Sequence, residues 1–239
     1  MRIFLNFKVN TLFIIACAAV PVSAHEFWLE PKSFVVSPNS PVAADIRIGQ
    51  RYNGYAYPYL QHEAVTFHER DDKGLRDVMA VTGDKPAYSG SLVDTGMRWI
   101  GFESDAYDLT FSNQEKIIGY LETEGLEWVI DWYKSEGISP DLMTETYYRH
   151  AKTLVSVEGA QEPSWVSEPL KHRLELVPSA GFTDCSSEPE FQLLWEGQPI
   201  QDLLVRRLTK DESEIDQHRT DRDGRVQFAP KSGTFLINA

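Results

Sequence analysis

From Ala44 the chain alternates, with Ala44, Ile46 and Ile48 on one side and Asp45 and Arg47 on the other. A two-residue period fits a pleated strand with one buried face, and a helix would scatter those apolar residues around its circumference. Further short strand patterns occur at Ala64 to His68, Asp77 to Val81, Arg98 to Phe102 and Tyr107 to Phe111. Turn material separates them, as in Pro38-Asn39-Ser40-Pro41 and Thr82-Gly83-Asp84-Lys85-Pro86. After residue 150 the pattern resumes at Leu154 to Val157, Leu174 to Val177, Phe191 to Trp195 and Leu203 to Val205. In Thr220-Asp221-Arg222-Asp223-Gly224-Arg225 the Asp-Gly pair suits a tight turn with positive φ. Many short strands with such punctuation predict sandwiches.

Residues 113–150 depart from this rhythm. Asn113 is placed to cap a helix beginning Gln114-Glu115-Lys116. Leu126, Val129, Ile130 and Tyr133 recur at helical spacing, with Gly137 as a stop. Ser139-Pro140 reads as a cap and first-turn proline opening a third short helix that runs to about His150. The predicted fold is therefore mainly all-β, with two β-sandwich modules. The first spans 25–157 and carries the helical insert at 113–150; a linker follows at 158–170, and the second module spans 171–239.

Residues 1–24 have the layout of a secretory signal peptide. Arg2 and Lys8 give a positive start, an apolar run covers Val9 to Val20, and Val22-Ser23-Ala24 has the small-x-Ala form of a cleavage site. Export to the periplasm follows, with lipidation at Cys17 as the alternative. The run is too short for a comfortable membrane span, so no direct membrane insertion is expected after cleavage. Cleavage would leave Cys185 as the one cysteine, so the mature fold has no internal disulfide.

The whole chain carries 23 Lys plus Arg against 36 Asp plus Glu, a formal charge of -13. Without Arg2 and Lys8 the balance is 21 against 36, or -15. Such a surface repels phosphate backbones and anionic headgroups, which argues against nucleic-acid partners and favours divalent cations. No Gly-x-Ser-x-Gly elbow, Cys-x-x-Cys pair, His-Glu-x-x-His helix or phosphate-binding glycine loop is present. No catalytic carboxylate pair can be picked by spacing, and enzymatic activity is left open.

The most informative residue is His25. After cleavage behind Ala24 its free α-amine and ring Nδ1 would chelate one ion, and a second histidine would complete a three-nitrogen brace. Nickel, cobalt or copper suits such ligands. His62-Glu63 and His68-Glu69 supply the candidates for the further ligand. On one straight strand they would lie about 20 Å apart, so either would meet His25 separately. His150 is expected at a helix C-terminus, His218 at a strand edge, and His172 has no assigned role. Tyr52, Tyr55, Tyr57 and Tyr59 around Gly54 offer a possible interface if exposed.

The opening Ala24-His25-Glu26-Phe27-Trp28-Leu29-Glu30-Pro31 resembles that of a bacterial family of exported proteins of unassigned function, commonly filed with periplasmic accessory components of nickel/cobalt uptake. Ile46-Arg47-Ile48-Gly49-Gln50, Tyr120-Leu121-Glu122-Thr123-Glu124-Gly125-Leu126 and Tyr148-Arg149-His150-Ala151-Lys152-Thr153-Leu154-Val155 also fit it. Gly197-Gln198-Pro199-Ile200, the Asp223-Gly224 turn and Gly233-Thr234-Phe235-Leu236-Ile237 are similar to transthyretin-like, carboxypeptidase-regulatory-like sandwiches. The resemblance implies metal handling at His25 and a β-rich fold, and names no catalytic residue. Family members typically continue past the position of Ala239 with a His-bearing strand, so a truncated second module is expected. Three functional readings follow. The first is a periplasmic metal-binding accessory protein with ligands among His25, His62 and His68. The second is a metal-free interaction module for an outer-membrane receptor or transporter. The third is a copper-dependent oxidase built on the brace.

Overall fold

The structure, a computed structural model, describes residues 26–91, 96–111, 113–139, 143–184, 186–210 and 215–239. The leader call at 1–24, His25, Cys17 and Cys185 lie outside the described residues.

The fold is mainly β. The first module runs through β1 (Glu26–Pro31), β2 (Val35–Val36), β3 (Pro41–Gln50), β4 (Asn53–Tyr57), β5 (Ala64–Asp71), β6 (Gly74–Asp77), β7 (Tyr88–Ser91), β8 (Met97–Ser104) and β9 (Tyr107–Thr110). Helices α1 (Gln114–Thr123) and α2 (Glu127–Ser135) follow, then β10 (Thr144–Tyr147) and β11 (His150–Val157). One sheet has the order β1-β3-β4, with β7 also paired to β3; the other has the order β2-β11-β8-β5-β6. Their facing sides enclose Leu29, Val42, Ala44, Ile46, Phe67, Tyr88, Ile100, Phe102, Val155 and Val157. The alternation that marked β3 puts Ala44 and Ile46 into this core.

Two of the three helices expected in the insert are present. Asn113 caps α1 as expected, its side chain accepting the Lys116 N–H at 3.2 Å. The third helix is a correction: its first turn falls on residues outside the description, and Thr144 to Tyr147 form β10, paired antiparallel with β9. Threonines at 144 and 146 alternate with Glu145 and Tyr147, which suits a strand, and the β9 edge was available to pair. Phe111, Ile117, Leu121 and Met143 form the small core beneath the helices. Of the strand expected at Asp77 to Val81, only Asp77 is in a strand, as the last residue of β6, and residues 78–81 are irregular.

The second module comprises β12 (Leu174–Pro178), β13 (Glu190–Trp195), β14 (Gln198–Pro199), β15 (Leu204–Thr209), β16 (Asp216–Arg219), β17 (Arg225–Gln227) and β18 (Phe235–Asn238). It forms two sheets, β12-β13-β14 with β17 on β13, and β16-β15-β18. Its own core is Phe191, Leu193, Val205, Val226 and Phe228. In the turn before β17, Asp221 Oδ1 accepts the N–H groups of Asp223 and Arg225 at 2.9 Å, and Gly224 takes φ +72°. His218 lies on β16, at the edge of its sheet.

Hydrophobic contacts on two sides tie the modules together, alongside ion pairs such as Arg206–Glu124 at 3.0 Å. Trp28 and Tyr52 of the first pack with Leu208 of the second. On the other side, Val166 and Leu170 cover Met97 and Trp99, and the Trp99 indole N–H donates to the Val166 carbonyl at 3.1 Å. Val166 is 0% and Leu170 2% exposed, so the segment 158–170 includes packed residues. The tyrosine run divides in burial: Tyr52 and Tyr59 are buried, Tyr57 is partly buried, and Tyr55 is exposed.

Candidate functional site

The outer face of the five-stranded sheet carries the most unusual chemistry of the described residues. On β8, Ile100 and Phe102 turn inward, which leaves Trp99, Gly101 and Glu103 on the outer face. The register places His68 of β5 and Lys152 of β11 on either side of Gly101, and His150 opposite Glu103. One row of a sheet thus collects ionisable groups that lie far apart in the chain.

Gly101 is what makes the row possible. A Cβ there would stand 2.7 Å from His68 Nε2 and 2.9 Å from His172 Cε1 and Nε2. Both imidazoles rest on bare backbone, closer than any side chain would allow. His172 arrives from the segment that leads into β12, and its ring stacks on His68 with centroids 4.9 Å apart. The two Nε2 atoms are 3.0 Å apart. At that separation one ring must donate and the other accept, so at least one of the pair is neutral.

The turn that delivers His172 is organised by Glu175. Its carboxylate is buried and accepts the N–H groups of Leu170 at 2.8 Å, Lys171 at 2.9 Å and His172 at 3.3 Å. It also accepts Lys152 Nζ at 2.6 Å. Lys171 holds φ +72° to close the turn. Lys152 Nζ sits 4.7 Å from the Trp99 ring, so its charge is met by a carboxylate and an aromatic face.

His150 completes the cluster. Its ring is 6.4 Å from that of His172, centroid to centroid, and its Nε2 is 3.5 Å from Glu103 Oε1. That nitrogen is buried and has no hydrogen-bond partner among the described residues; the same holds for Thr66 Oγ1, on the strand residue opposite Glu103. Burial lowers the ring pKa of His68 and His150 despite the nearby carboxylates. Burial, with the His68, Lys152 and His150 charges, takes His172 down to about 2. Burial thus disfavours the protonated form of all three rings, and neutral imidazole is the form that binds a cation.

As arranged, no group of three or more His, Cys, Asp or Glu among the described residues surrounds a common point as metal ligands do. The His68–His172 pair has the spacing of two nitrogens on one ion, and the His150 ring lies 6.4 Å from that of His172.

His62 is elsewhere. It lies in the turn Gln61–Glu63 with its side chain 75% exposed, 4.0 Å from Glu63 Oε1. Glu63 accepts the hydroxyls of Tyr107 at 2.8 Å and Tyr57 at 3.2 Å. The Arg149 guanidinium lies 4.9 Å from the Tyr107 ring and 5.6 Å from the Phe27 ring. His62 is thus linked, through Glu63, Tyr107 and Arg149, to Phe27 of β1. His68 lies on the outer face of its sheet, turned away from the core that β1 packs against.

Sequence reasoning singled out His68 and missed both partners. His150 was expected at a helix C-terminus, and it opens β11 instead. His172 follows Lys171 in a stretch without periodicity, where nothing local marks a ligand. The one available signal was Gly101, a glycine inside a strand, which signals close approach by another group.

The sequence model of a family described as Domain of unknown function (DUF4198) matches residues 22–239. The chain belongs to this family. The DUF4198 match covers both modules and the histidine cluster between them. No curated protein matches the chain. Among the described residues of this DUF4198 protein, no helix is long and apolar enough to cross a membrane.

Proposed function

We propose that the protein is an exported periplasmic accessory protein that binds a divalent transition-metal ion, in the service of nickel or cobalt uptake. Removal of the leader 1–24 frees the His25 α-amine, which chelates the ion together with the imidazole Nδ1. His62 supplies the third nitrogen. The observation that carries this reading is an exposed His62 next to Glu63, whose carboxylate accepts the Tyr107 hydroxyl, with Arg149 against both the Tyr107 ring and the Phe27 ring of β1. Glu26 pairs with Gly49 in β1–β3, and its carboxylate accepts the Tyr52 N–H at 2.7 Å, so residue 25 directly precedes anchored backbone. The second module, with its Asp223-Gly224 turn, takes the part of a transthyretin-like scaffold without catalysis of its own.

Calorimetry with nickel, cobalt and copper on leader-cleaved protein tests the reading. An added N-terminal Gly removes the amine–imidazole chelate, and His62→Ala removes the third nitrogen. Both are expected to weaken binding by at least about tenfold, or 1.4 kcal/mol. Equal affinity in the Gly-extended protein overturns the proposal. Mass spectrometry of the mature N-terminus checks the cut on which it rests.

A metal-free docking module for a transporter or receptor is the second reading. The burial of Tyr52 and Tyr59 takes away most of its original support. Trp128 and Trp132, exposed one turn apart on α2, replace it. Loss of cross-linking to a membrane partner in W128A/W132A, with metal binding intact, would favour it.

A further inference from the structure

The N-terminal reading leaves the buried histidines unused. We infer that His68, His150 and His172, with Glu103 beside them, form a second transition-metal site, separate from the mature N-terminus, which clamps the two modules together.

Four observations carry this inference. First, two imidazole nitrogens on one ion at about 2.0–2.1 Å each are about 2.9–3.4 Å apart, and His68 Nε2 and His172 Nε2 are 3.0 Å apart. Secondly, His150 offers a buried nitrogen with no hydrogen-bond partner among the described residues. A core histidine with a purely structural role is expected to satisfy both nitrogens. Thirdly, the Gly101 backbone leaves room for the rings that any side chain would displace. Fourthly, Glu103 Oε1 stands 3.5 Å from that same His150 Nε2, on the ligand side of the ring, where a carboxylate completes a tetrahedral set. Three imidazoles and a carboxylate suit a borderline divalent ion of the zinc and cobalt class.

The ligands come from different parts of the chain. His68 and His150 belong to the first module, and His172 to the turn that opens the second. An ion there ties β5 and β11 to the segment before β12. The adjacent Lys152–Glu175 pair holds the same segment in place without an ion and so presents His172 before binding.

The test uses leader-cleaved protein carrying His25→Ala, which disables the N-terminal site. Titration with Co(II), followed by visible absorption, is expected to give one equivalent with the intense bands of a tetrahedral ion. His172→Gln in the same background is expected to abolish those bands, and His150→Gln to weaken binding at least about tenfold. Circular dichroism of each variant establishes that it is folded. Co(II) is further expected to slow proteolysis of 159–175 in the His25→Ala protein and to leave the His172→Gln protein unchanged. Absence of tetrahedral Co(II) bands in folded His25→Ala protein, the result for a pair that merely shares a proton, overturns the inference. So does unchanged Co(II) binding in His172→Gln. Neither outcome bears on the N-terminal site, whose own variants retain the cluster.

Discussion

His68 and His172 are 104 positions apart in the chain, yet their Nε2 atoms stand 3.0 Å from each other across the junction between the modules. The contact depends on a third residue that has no side chain at all, Gly101, over which both rings lie.

Gly101→Ala is accordingly expected to displace the pair. The new methyl group would meet two rings held by surrounding structure, and overpacking of this kind costs about 1–3 kcal/mol. Denaturant unfolding measures it. In a His68→Ala background one of the two obstructing rings is gone, so the cost of Gly101→Ala should shrink. Strictly additive losses in the double-mutant cycle would contradict the packing account.

Lys152 and Glu175 make a different prediction. Their side chains are 11% and 2% exposed, and the pair is nearly dry. Glu175→Ala leaves the ammonium buried and three backbone N–H groups of the 170–172 turn without an acceptor. A loss of about 3–5 kcal/mol is expected, as for other broken buried pairs. Lys152→Met should cost less, because Glu175 retains those backbone donors. Equal losses in the two variants would show that the turn contributes little.

The pH dependence of stability should report Asp71. Burial opposes its charged form, but hydrogen bonds from Arg76, the Lys73 N–H and Arg98 hold its carboxyl well below the ordinary carboxylate range. With a folded pKa below the unfolded one, the stabilisation is fully present above about pH 4. It is lost as pH falls toward the folded value, because the unfolded chain takes up the proton first. One such group contributes a slope of up to about 1.4 kcal/mol per pH unit in that window. Asp71→Asn should flatten the acid limb of the stability profile between about pH 4 and 2. An unchanged limb would mean that the Arg76–Asp71–Arg98 network is not formed in solution.

The tyrosine run offers a simple contrast. Tyr52 is 3% exposed and packs edge-on to Trp28, while Tyr55 is 61% exposed. Tyr52→Ala is expected to cost about 3–5 kcal/mol, in the range of large-to-small aromatic truncations. Tyr55→Ala should stay within about 0.5 kcal/mol. Thermal unfolding of the two variants settles the ranking.

Much of the fold was legible in local pattern. Ala44, Ile46 and Ile48 announced β3 because strand burial repeats every two residues, and Asn113 announced the start of α1 because a helix leaves its first N–H groups unpaired. Thr144 to Tyr147 misled, since a proline after a serine reads as a helix start whatever edge is waiting nearby. That the run became β10 depended on β9, 34 to 40 residues earlier in the register. The same division holds for the histidines. Sequence alone singled out His25 by its place after a cleavage pattern, and His62 and His68 by type. It had no means of pairing His68 with His172 or of bringing His150 alongside. Those contacts arise from strand register across β5, β8 and β11 and from a turn folded around Glu175. Periodicity and capping are properties of neighbours along the chain; cross-strand register and module docking bring together residues that the chain itself keeps far apart, so only the tertiary structure decides them.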